Sequence, residues 1–106
     1  MNKEKILSKM HITIEALPEY AHPKEFYDDE QDIKHVCELH KETDWGWCTV
    51  KVTAKWNDIE ESEYLGACSY ESEEDFIKNS GYFEDMKREA IACLFATIQK
   101  IESDMY

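Results

Sequence analysis

The amino-acid sequence predicts an α+β fold in which a three-stranded, mainly antiparallel sheet is packed by a long C-terminal helix and by shorter helices. Three observations predict this class. Segments 11–17, 45–56 and 63–70 have strand-like patterns, a polar turn separates the last two, and apolar residues recur at helical spacing after position 82. A length of 106 residues predicts one domain, covering 1–106.

The first two predicted strands alternate apolar with polar residues, the period-two pattern of a strand. Segment 11–17 does so up to Pro18, and segment 45–56 has one apolar face of Cys, Val, Ala and Trp side chains. Its other face holds Trp45 and Trp47 among threonines and lysines. Our preferred interpretation is that the N-terminal segment covers this face and buries both tryptophans; the alternative is an aromatic patch for a partner.

The third predicted strand, 63–70, follows a polar segment, 57–62, that is rich in turn-forming residues. We therefore expect it to fold back as the second arm of an antiparallel hairpin. Gly66, Ala67 and Cys68 carry little bulk, which predicts either packing beneath helices or the close approach of another backbone.

Two shorter helices are predicted from apolar spacing and capping residues. Segment 30–42 has apolar residues at i, i+3, i+4 and i+7, and one of the two aspartates at 28–29 can cap its first turn. Segment 73–79 begins at Ser72 with Asp75 three residues later, a pattern typical of a capping box.

The long C-terminal helix is predicted over residues 82–105. At about 1.5 Å per residue, some 20 residues span roughly 30 Å, enough to cover one face of a small sheet. Its predicted core-facing stripe consists of Phe83, Met86, Ala90, Leu94, Ile98, Ile101 and Met105.

The composition indicates an acidic protein that folds. The net charge is −12, yet 42% of the residues are apolar, and there are six Tyr, four Phe and three Trp. This charge disfavours direct binding to nucleic acid or to an anionic membrane and favours a basic protein partner. No segment has the length and apolarity of a signal peptide or a transmembrane helix, so we expect a cytoplasmic protein.

Four cysteines occur singly in apolar-patterned segments and are predicted to be reduced core thiols: Cys37, Cys48, Cys68 and Cys93. In HVCELH, Cys37 and His40 share a helical face while His35 points elsewhere. Because a structural zinc site needs four ligands, we predict no metal; the alternative is a zinc-dependent or thiol-based enzyme. The sequence has no nucleophile elbow, phosphate-binding loop or HExxH motif, so we predict no enzymatic activity and no cofactor.

An acidic window is the most unusual feature of the sequence. Between Trp56 and Ile77 there are eight carboxylates and no Lys or Arg, and two more carboxylates begin the C-terminal helix. Carboxylates a few ångströms apart resemble the phosphates of a nucleic acid and can compete for a groove that binds one; the alternative is a solvated face with no partner. The predicted partner-binding carboxylates are Asp58, Glu60, Glu61, Glu63, Glu71, Glu73, Glu74, Asp75, Glu84 and Asp85.

Three segments, WGWCTVKVTAKW, EYLGACSYESEEDF and GYFEDMKREAI, resemble a group of small uncharacterised proteins carried by bacteriophages and prophages. The shared features are a Trp-x-Trp-Cys-x-Val-x-Val strand, a Tyr-Leu-Gly-x-Cys-Ser-Tyr strand and an acidic Asp-Met-x-x-x-Ala helix. The resemblance covers residues 45 to about 94, and HITIEALPE is a weaker match. It is carried by Trp45, Trp47, Cys48, Val50, Val52, Tyr64, Leu65, Gly66, Cys68, Ser69, Tyr70, Tyr82, Asp85, Met86 and Ala90.

The resemblance implies a phage setting, in which compact acidic proteins often inhibit host defence, including anti-CRISPR and anti-restriction proteins with DNA-like charge. On this basis we expect a non-enzymatic inhibitor of a basic nucleic-acid-binding host protein, either a CRISPR effector or a restriction enzyme. A second hypothesis is an interaction or assembly module without mimicry. Its aromatic interface would consist of Trp45, Trp47, Tyr64 and Tyr70.

Overall fold

The structure, a computed structural model, describes residues 2–104. The helices and strands in this range are α1 (Lys3–Lys9), β1 (His11–Leu17), α2 (Glu30–Glu42), β2 (Cys48–Trp56), β3 (Ile59–Cys68), α3 (Glu73–Asn79) and α4 (Phe83–Asp104). Two short 3-10 helices, Pro23–Glu25 and Asp44–Gly46, lie before and after α2. The strands form an antiparallel sheet in the order β1-β2-β3, which confirms the predicted α+β class.

The antiparallel register gives the sheet a covered face and an open face. Val50, Val52 and Ala54 of β2 are fully buried on the covered face, against which α1, α3 and α4 pack. Side chains of alternate residues point away from the helices and form the open face. The open face consists of His11, Thr13, Glu15, Lys51, Thr53, Lys55, Glu60, Ser62 and Tyr64.

Two apolar clusters hold the helices on the covered face. Near the hairpin turn, Ile6 of α1 packs with Leu94 and Ile98 of α4. Toward the other end of the sheet, Phe76 of α3 is fully buried beside Val50. Because α4 has 22 residues, it is about 33 Å long at 1.5 Å per residue and contributes to both clusters.

The capping predictions for the short helices are confirmed. The Asp29 carboxylate accepts a hydrogen bond from the Gln31 amide at 2.7 Å, and α2 covers the predicted residues. At the start of α3, the Ser72 hydroxyl accepts from the Asp75 amide at 3.1 Å. Asp75 in turn accepts from the amide of Glu71, whereas a standard capping box would use the amide of Ser72 itself.

Most of the predicted stripe on α4 faces the core. Ala90, Leu94 and Ile98 are buried, but Ile101 is 42% exposed, because α4 continues past its last buried residue, Ile98. The prediction for Ile101 is therefore wrong, and Met105 lies outside the described residues.

The strand boundaries differ from the predicted ones at both ends of the hairpin. β2 begins at Cys48 because a 3-10 helix, Asp44–Gly46, takes the place of the first predicted residues of the strand. Gly46 is required there, since a Cβ atom would lie 2.5 Å from the His40 backbone nitrogen. The predicted six-residue turn is a two-residue turn, in which Asn57 has a φ of 54°, so β3 begins at Ile59.

Helix α1 was not predicted from sequence, because a seven-residue segment with a single buried residue has little apolar pattern. Its start is capped by the Asn2 side chain, which accepts from the Lys5 amide at 3.1 Å. Ile6 then enters the core. The helix thus covers the hairpin end of the sheet.

The molecule is elongated. Its principal extents are 58 × 23 × 20 Å and its Cα radius of gyration is 17.0 Å, compared with about 13 Å for a compact domain of 100 residues. Helix α2 contributes to this shape because it packs mainly on the two 3-10 helices rather than on the sheet. Within residues 2–104, no helix combines the length and the apolarity needed to cross a membrane.

Candidate protein-binding surface

The β2–β3 hairpin displays four acidic residues, which we call the hairpin carboxylates: Asp58, Glu60, Glu61 and Glu63. Asp58 is exposed in the turn, and Glu60 is exposed on the open face. Glu61 and Glu63 lie opposite Ala54 and Val52, so they point to the α4 side and are half-buried. Strand alternation therefore places neighbouring acids on opposite sides of one edge strand.

Helix α4 positions the two half-buried hairpin carboxylates. The Thr97 hydroxyl donates to Glu61 Oε1 at 2.7 Å, and the Cys93 thiol lies 3.8 Å from Glu63 Oε1. Partial desolvation, followed by the charges of Glu63 and Glu61, raises the pKa of the exposed Cys93 thiol. Cys93 is therefore not the core thiol that its sequence pattern predicts.

None of the hairpin carboxylates forms an ion pair with a Lys or Arg of residues 2–104. Lys55 lies directly opposite Glu60 in the register, but the two side chains do not form an ion pair. Hydrogen bonds from Thr97 fix a carboxylate in place without neutralising it. The hairpin thus keeps its negative charge available to another molecule.

The remaining predicted carboxylates, which we call the junction carboxylates, surround α3 and the start of α4: Glu71, Glu73, Glu74, Asp75, Glu84 and Asp85. Three of them pair with cations on the same helix. Glu74 pairs with Lys78, Glu84 with Lys87 at 3.1 Å, and Asp85 with Arg88 at 2.9 Å. These contacts at i+3 and i+4 reduce the local negative charge.

Asp75 is also used internally. It accepts hydrogen bonds from the Asn79 side chain at 2.8 Å and from the Glu71 amide at 3.0 Å. The Asn79 contact, followed by the Glu71 contact, lowers the pKa of Asp75. This carboxylate therefore ties the first turn of α3 to the residue before its N-cap.

The ten predicted carboxylates consequently do not form one continuous array. β3 has 10 residues, which at about 3.3 Å per residue separates the hairpin turn from α3 by roughly 30 Å. The hairpin carboxylates lie in the turn and the first half of that strand, and the junction carboxylates lie beyond its other end. The candidate surface is therefore the hairpin edge, to which Glu89 of α4 adds charge near Cys93.

The predicted aromatic interface does not form a single surface. Trp47 is only 4% exposed; its indole donates to the Ala21 carbonyl at 2.8 Å, and the rings of Phe26 and Tyr27 pack against it. The segment between β1 and α2 therefore covers Trp47, so its burial is as our preferred interpretation predicts, but this segment does not cover the open face of the sheet. The aromatic-patch alternative is wrong for this residue.

The other three aromatic residues are divided between the two sides of the sheet. Trp45 and Tyr70 both pack on Phe76, with ring centroids at 5.8 and 5.1 Å, on the covered side of the sheet. Tyr64 is 59% exposed on the open face, where Lys51 Nζ lies 5.8 Å from its ring centroid. Trp45 and Trp47 do not share a face because the 3-10 helix at Asp44–Gly46 breaks the strand alternation.

The remaining titratable groups provide no metal centre. Cys37 is half-buried, and His35 and His40 are exposed. Residues 2–104 contain no group of three His, Cys, Asp or Glu side chains placed to hold a metal ion. Cys48 and Cys68 are buried free thiols, and burial followed by the proximity of Cys68 raises the pKa of Cys48 to about 12.

Glu19 is an important residue that sequence reasoning missed. Its Oε1 atom accepts from the Ala67 amide at 2.6 Å and from the Thr49 hydroxyl at 3.4 Å. The Ala67 contact, the largest influence, helps to lower the pKa of Glu19. The carboxylate therefore ties the segment after β1 to β3, across 48 residues of chain.

The Glu19 contact stabilises a β-bulge. Cys48 pairs with Cys68, whereas Val50 pairs with Leu65, so β3 has one extra residue here and Ala67 has a φ of 56°. The small residues of this strand were predicted to allow helix packing or a close backbone. The structure instead shows a bulge, in which a Cβ on Gly66 would lie 3.0 Å from the Glu19 carboxylate.

Comparison of the chain with protein-family models, curated proteins and solved structures gives no match. In the fold, the Trp-x-Trp-Cys and Tyr-Leu-Gly-x-Cys motifs meet at the bulge, where Cys48 pairs with Cys68. What the structure defines is a class: an elongated α+β protein with a three-stranded sheet that is open on one face.

Proposed function

We propose that this protein is a non-enzymatic, phage-encoded inhibitor that acts in the host cytoplasm by docking its hairpin carboxylates on a basic nucleic-acid-binding protein of host defence. The observation that carries the proposal is the set of four carboxylates on one hairpin that have no cationic partner within residues 2–104. Arginines of a partner would bind such carboxylates through charge-assisted, bidentate hydrogen bonds.

The spacing of these charges supports mimicry of one nucleic-acid strand. From Asp58 to Glu63 the chain advances five residues, about 17 Å of strand at 3.3 Å per residue. The four charges are separated by three intervals of about 5.5 Å on average, nearer to the 3.4 Å per phosphate of a single strand than to the 1.7 Å of a duplex. The partner groove that this surface fits is therefore one that holds a single strand or one strand of a duplex.

The fold gives this surface two further useful properties. β3 is an edge strand, so its carboxylates project without a neighbouring strand among the described residues. The Thr97–Glu61 hydrogen bond holds one of them in place, which reduces the entropy lost when a partner binds. The carboxylates also protect the edge from pairing with other strands, a structural role that is compatible with binding.

The test compares two variants with the same change in net charge. The hairpin variant carries Asp58→Asn, Glu60→Gln, Glu61→Gln and Glu63→Gln; the control carries Glu74→Gln, Asp75→Asn, Glu84→Gln and Asp85→Asn. Both are used to capture a partner from host lysate, and the affinity of the captured pair is measured at rising salt. We expect the hairpin variant to lose at least tenfold in affinity and the control much less, because the control carboxylates are paired with cations or, for Asp75, held by hydrogen bonds.

Two results would contradict the proposal. An equal loss in both variants would show that net charge alone matters. An affinity of the unmodified protein that does not change with salt would exclude charge-based docking, because exposed charges are screened over about 8 to 10 Å at physiological salt.

A second candidate, an assembly module that uses an aromatic contact, is favoured by Tyr64 alone among the four aromatic residues. Its ring is 59% exposed on the open face. Under this function Tyr64→Ala removes partner capture while the hairpin variant retains it. Trp47→Ala is uninformative here, since Trp47 is part of the packed interior.

A further inference from the structure

The two edges of the sheet differ in their protection against pairing with another strand. β3 carries the hairpin carboxylates along its edge. β1 pairs with β2 on one side, and no strand of residues 2–104 covers its other side. Its seven residues contain a single carboxylate, Glu15, and no proline or lysine. Natural proteins usually block such an edge with charge, proline or a covering element.

An apolar groove runs beside this free edge. It has a volume of about 540 Å³, and Ile77 of α3 is 39% exposed in it. Opposite charges also line the groove, Glu73 from α3 and Lys87 from α4. The full lining is Ile12, Thr13, Ile14, Glu73, Ile77, Phe83 and Lys87.

We propose that the free edge of β1 pairs with β1 of a second copy of this chain, antiparallel about a two-fold axis at Thr13, to form a continuous six-stranded sheet. In this register each residue lies opposite the one that is equally far from Thr13 on its other side. His11 is therefore opposite Glu15 of the second copy, and Ile12 is opposite Ile14. The imidazole N–H donates to the carboxylate on the open face. The isoleucines meet on the covered face, above the groove.

The charge distribution favours dimerisation through the β1 edge rather than through the β3 edge. Residues 2–17 contain Lys3, Lys5 and Lys9 against Glu4 and Glu15, so this segment is nearly neutral in a chain with a net charge of −12. Two copies therefore approach along β1 with less repulsion than along any acidic surface. Pairing through β3 would instead bring two sets of hairpin carboxylates together, and like charges directly opposite each other are destabilising.

The first test measures the monomer–dimer equilibrium of the whole chain by sedimentation equilibrium. His11→Glu creates two like-charged pairs across the axis, so we expect about tenfold weaker dimerisation. The double variant His11→Glu, Glu15→His restores the pairs and should return the dissociation constant close to that of the unmodified chain. Gln99→Glu, on an exposed position of α4, makes the same charge change as His11→Glu and should leave it unchanged.

The second test is cross-linking, which does not depend on the strength of a charge pair. In a Cys37→Ser, Cys93→Ser background, Thr13→Cys places two thiols face to face at the axis, and oxidised glutathione should convert them to an intermolecular disulfide. Glu60→Cys on β3 is the matched control and should form no intermolecular disulfide, because β3 lies away from the proposed dimer contact. A chain that is monomeric at several hundred micromolar, or a dimer that forms the Glu60 cross-link and not the Thr13 one, would overturn the proposal.

Discussion

The hairpin and the α3–α4 junction are both acidic in sequence, but the fold uses their carboxylates differently. At the junction, helical spacing places Lys78, Lys87 and Arg88 within reach of an acid three or four residues earlier. On the hairpin, alternate residues point to opposite sides, and the nearest cation in register does not form an ion pair. A run of acidic residues is therefore partly ion-paired when it lies on helices and remains unneutralised when it lies on an edge strand.

The largest expected effect concerns the apolar support of the junction. Phe76 is fully buried among Trp45, Tyr70 and Phe83, so Phe76→Ala should cost about 3 to 5 kcal/mol of unfolding free energy. The adjacent Ile77→Ala is the control and should cost about 1 kcal/mol or less, because Ile77 is partly exposed. Urea denaturation measures both. Equal losses would show that α3 is not anchored by this ring.

The next largest effect on the unfolding free energy is expected at the β-bulge, which lies between the hairpin and the α3–α4 junction. Glu19→Ala leaves the Ala67 amide without its acceptor and should cost about 1 to 2 kcal/mol, since the site is partly open to water. Because the pKa of Glu19 is lowered from its ordinary value of 4.5, its contribution is present above pH 4.5 and is lost as the pH falls through the folded-state pKa.

The pH dependence supplies the control for this prediction. Glu19→Gln should flatten the acid side of the stability curve, so that its difference in stability from the unmodified chain disappears at low pH. Stability is measured by denaturation between pH 3 and pH 7. An unchanged acid limb in Glu19→Gln would mean that the carboxylate does not hold the bulge.

A smaller effect of opposite sign is expected at Ala67. This residue has a φ of 56°, and the left-handed conformation costs an L-residue with a Cβ about 1 kcal/mol relative to glycine. Ala67→Gly should therefore raise the unfolding free energy by up to about 1 kcal/mol, partly offset by the greater chain entropy of glycine. Ala96→Gly within α4 is the control and should lower it. Thermal denaturation shows which variant is stabilised and which is destabilised.

The smallest effect uses Cys93 as a reporter of the hairpin charge. Since the charges of Glu63 and Glu61 contribute to the raised pKa of its thiol, Glu61→Gln with Glu63→Gln should lower that pKa and speed alkylation a few-fold near pH 8. Glu84→Gln is the control and should leave the rate unchanged. The rate is followed by mass spectrometry of the intact protein. If the hairpin variant reacts no faster, the hairpin carboxylates do not act on this thiol.

Local sequence signals predicted the elements that depend on neighbouring residues. Helices α2 and α3 match their predicted bounds, because Asp29 and Ser72 cap their own first turns. The hairpin was also predicted, although its turn is shorter than the polar segment 57–62 suggests. Polar residues on a half-exposed edge strand look like a loop in sequence, and the register with β2 makes them a strand.

The candidate site was predicted in its residue types and not in its arrangement. The sequence showed the carboxylates of the hairpin but gave no sign that the second half of β3, about 17 Å of strand, separates them from those of the junction. Trp45 and Trp47 lie on different sides of the sheet because the 3-10 helix at Asp44–Gly46 interrupts the alternation of side chains along the strand. Glu19 carried no local signal at all, since its main partner, Ala67, is 48 residues away.

By itself, the sequence determined the α+β class, the caps of the short helices and the excess of negative charge, because each depends on residue type and short-range spacing. Only the tertiary structure decided which acids remain unpaired, which tryptophan is buried and where β3 bulges. Those outcomes depend on which distant side chains come within a few ångströms, and that distance is set by strand register and helix packing rather than by any one segment.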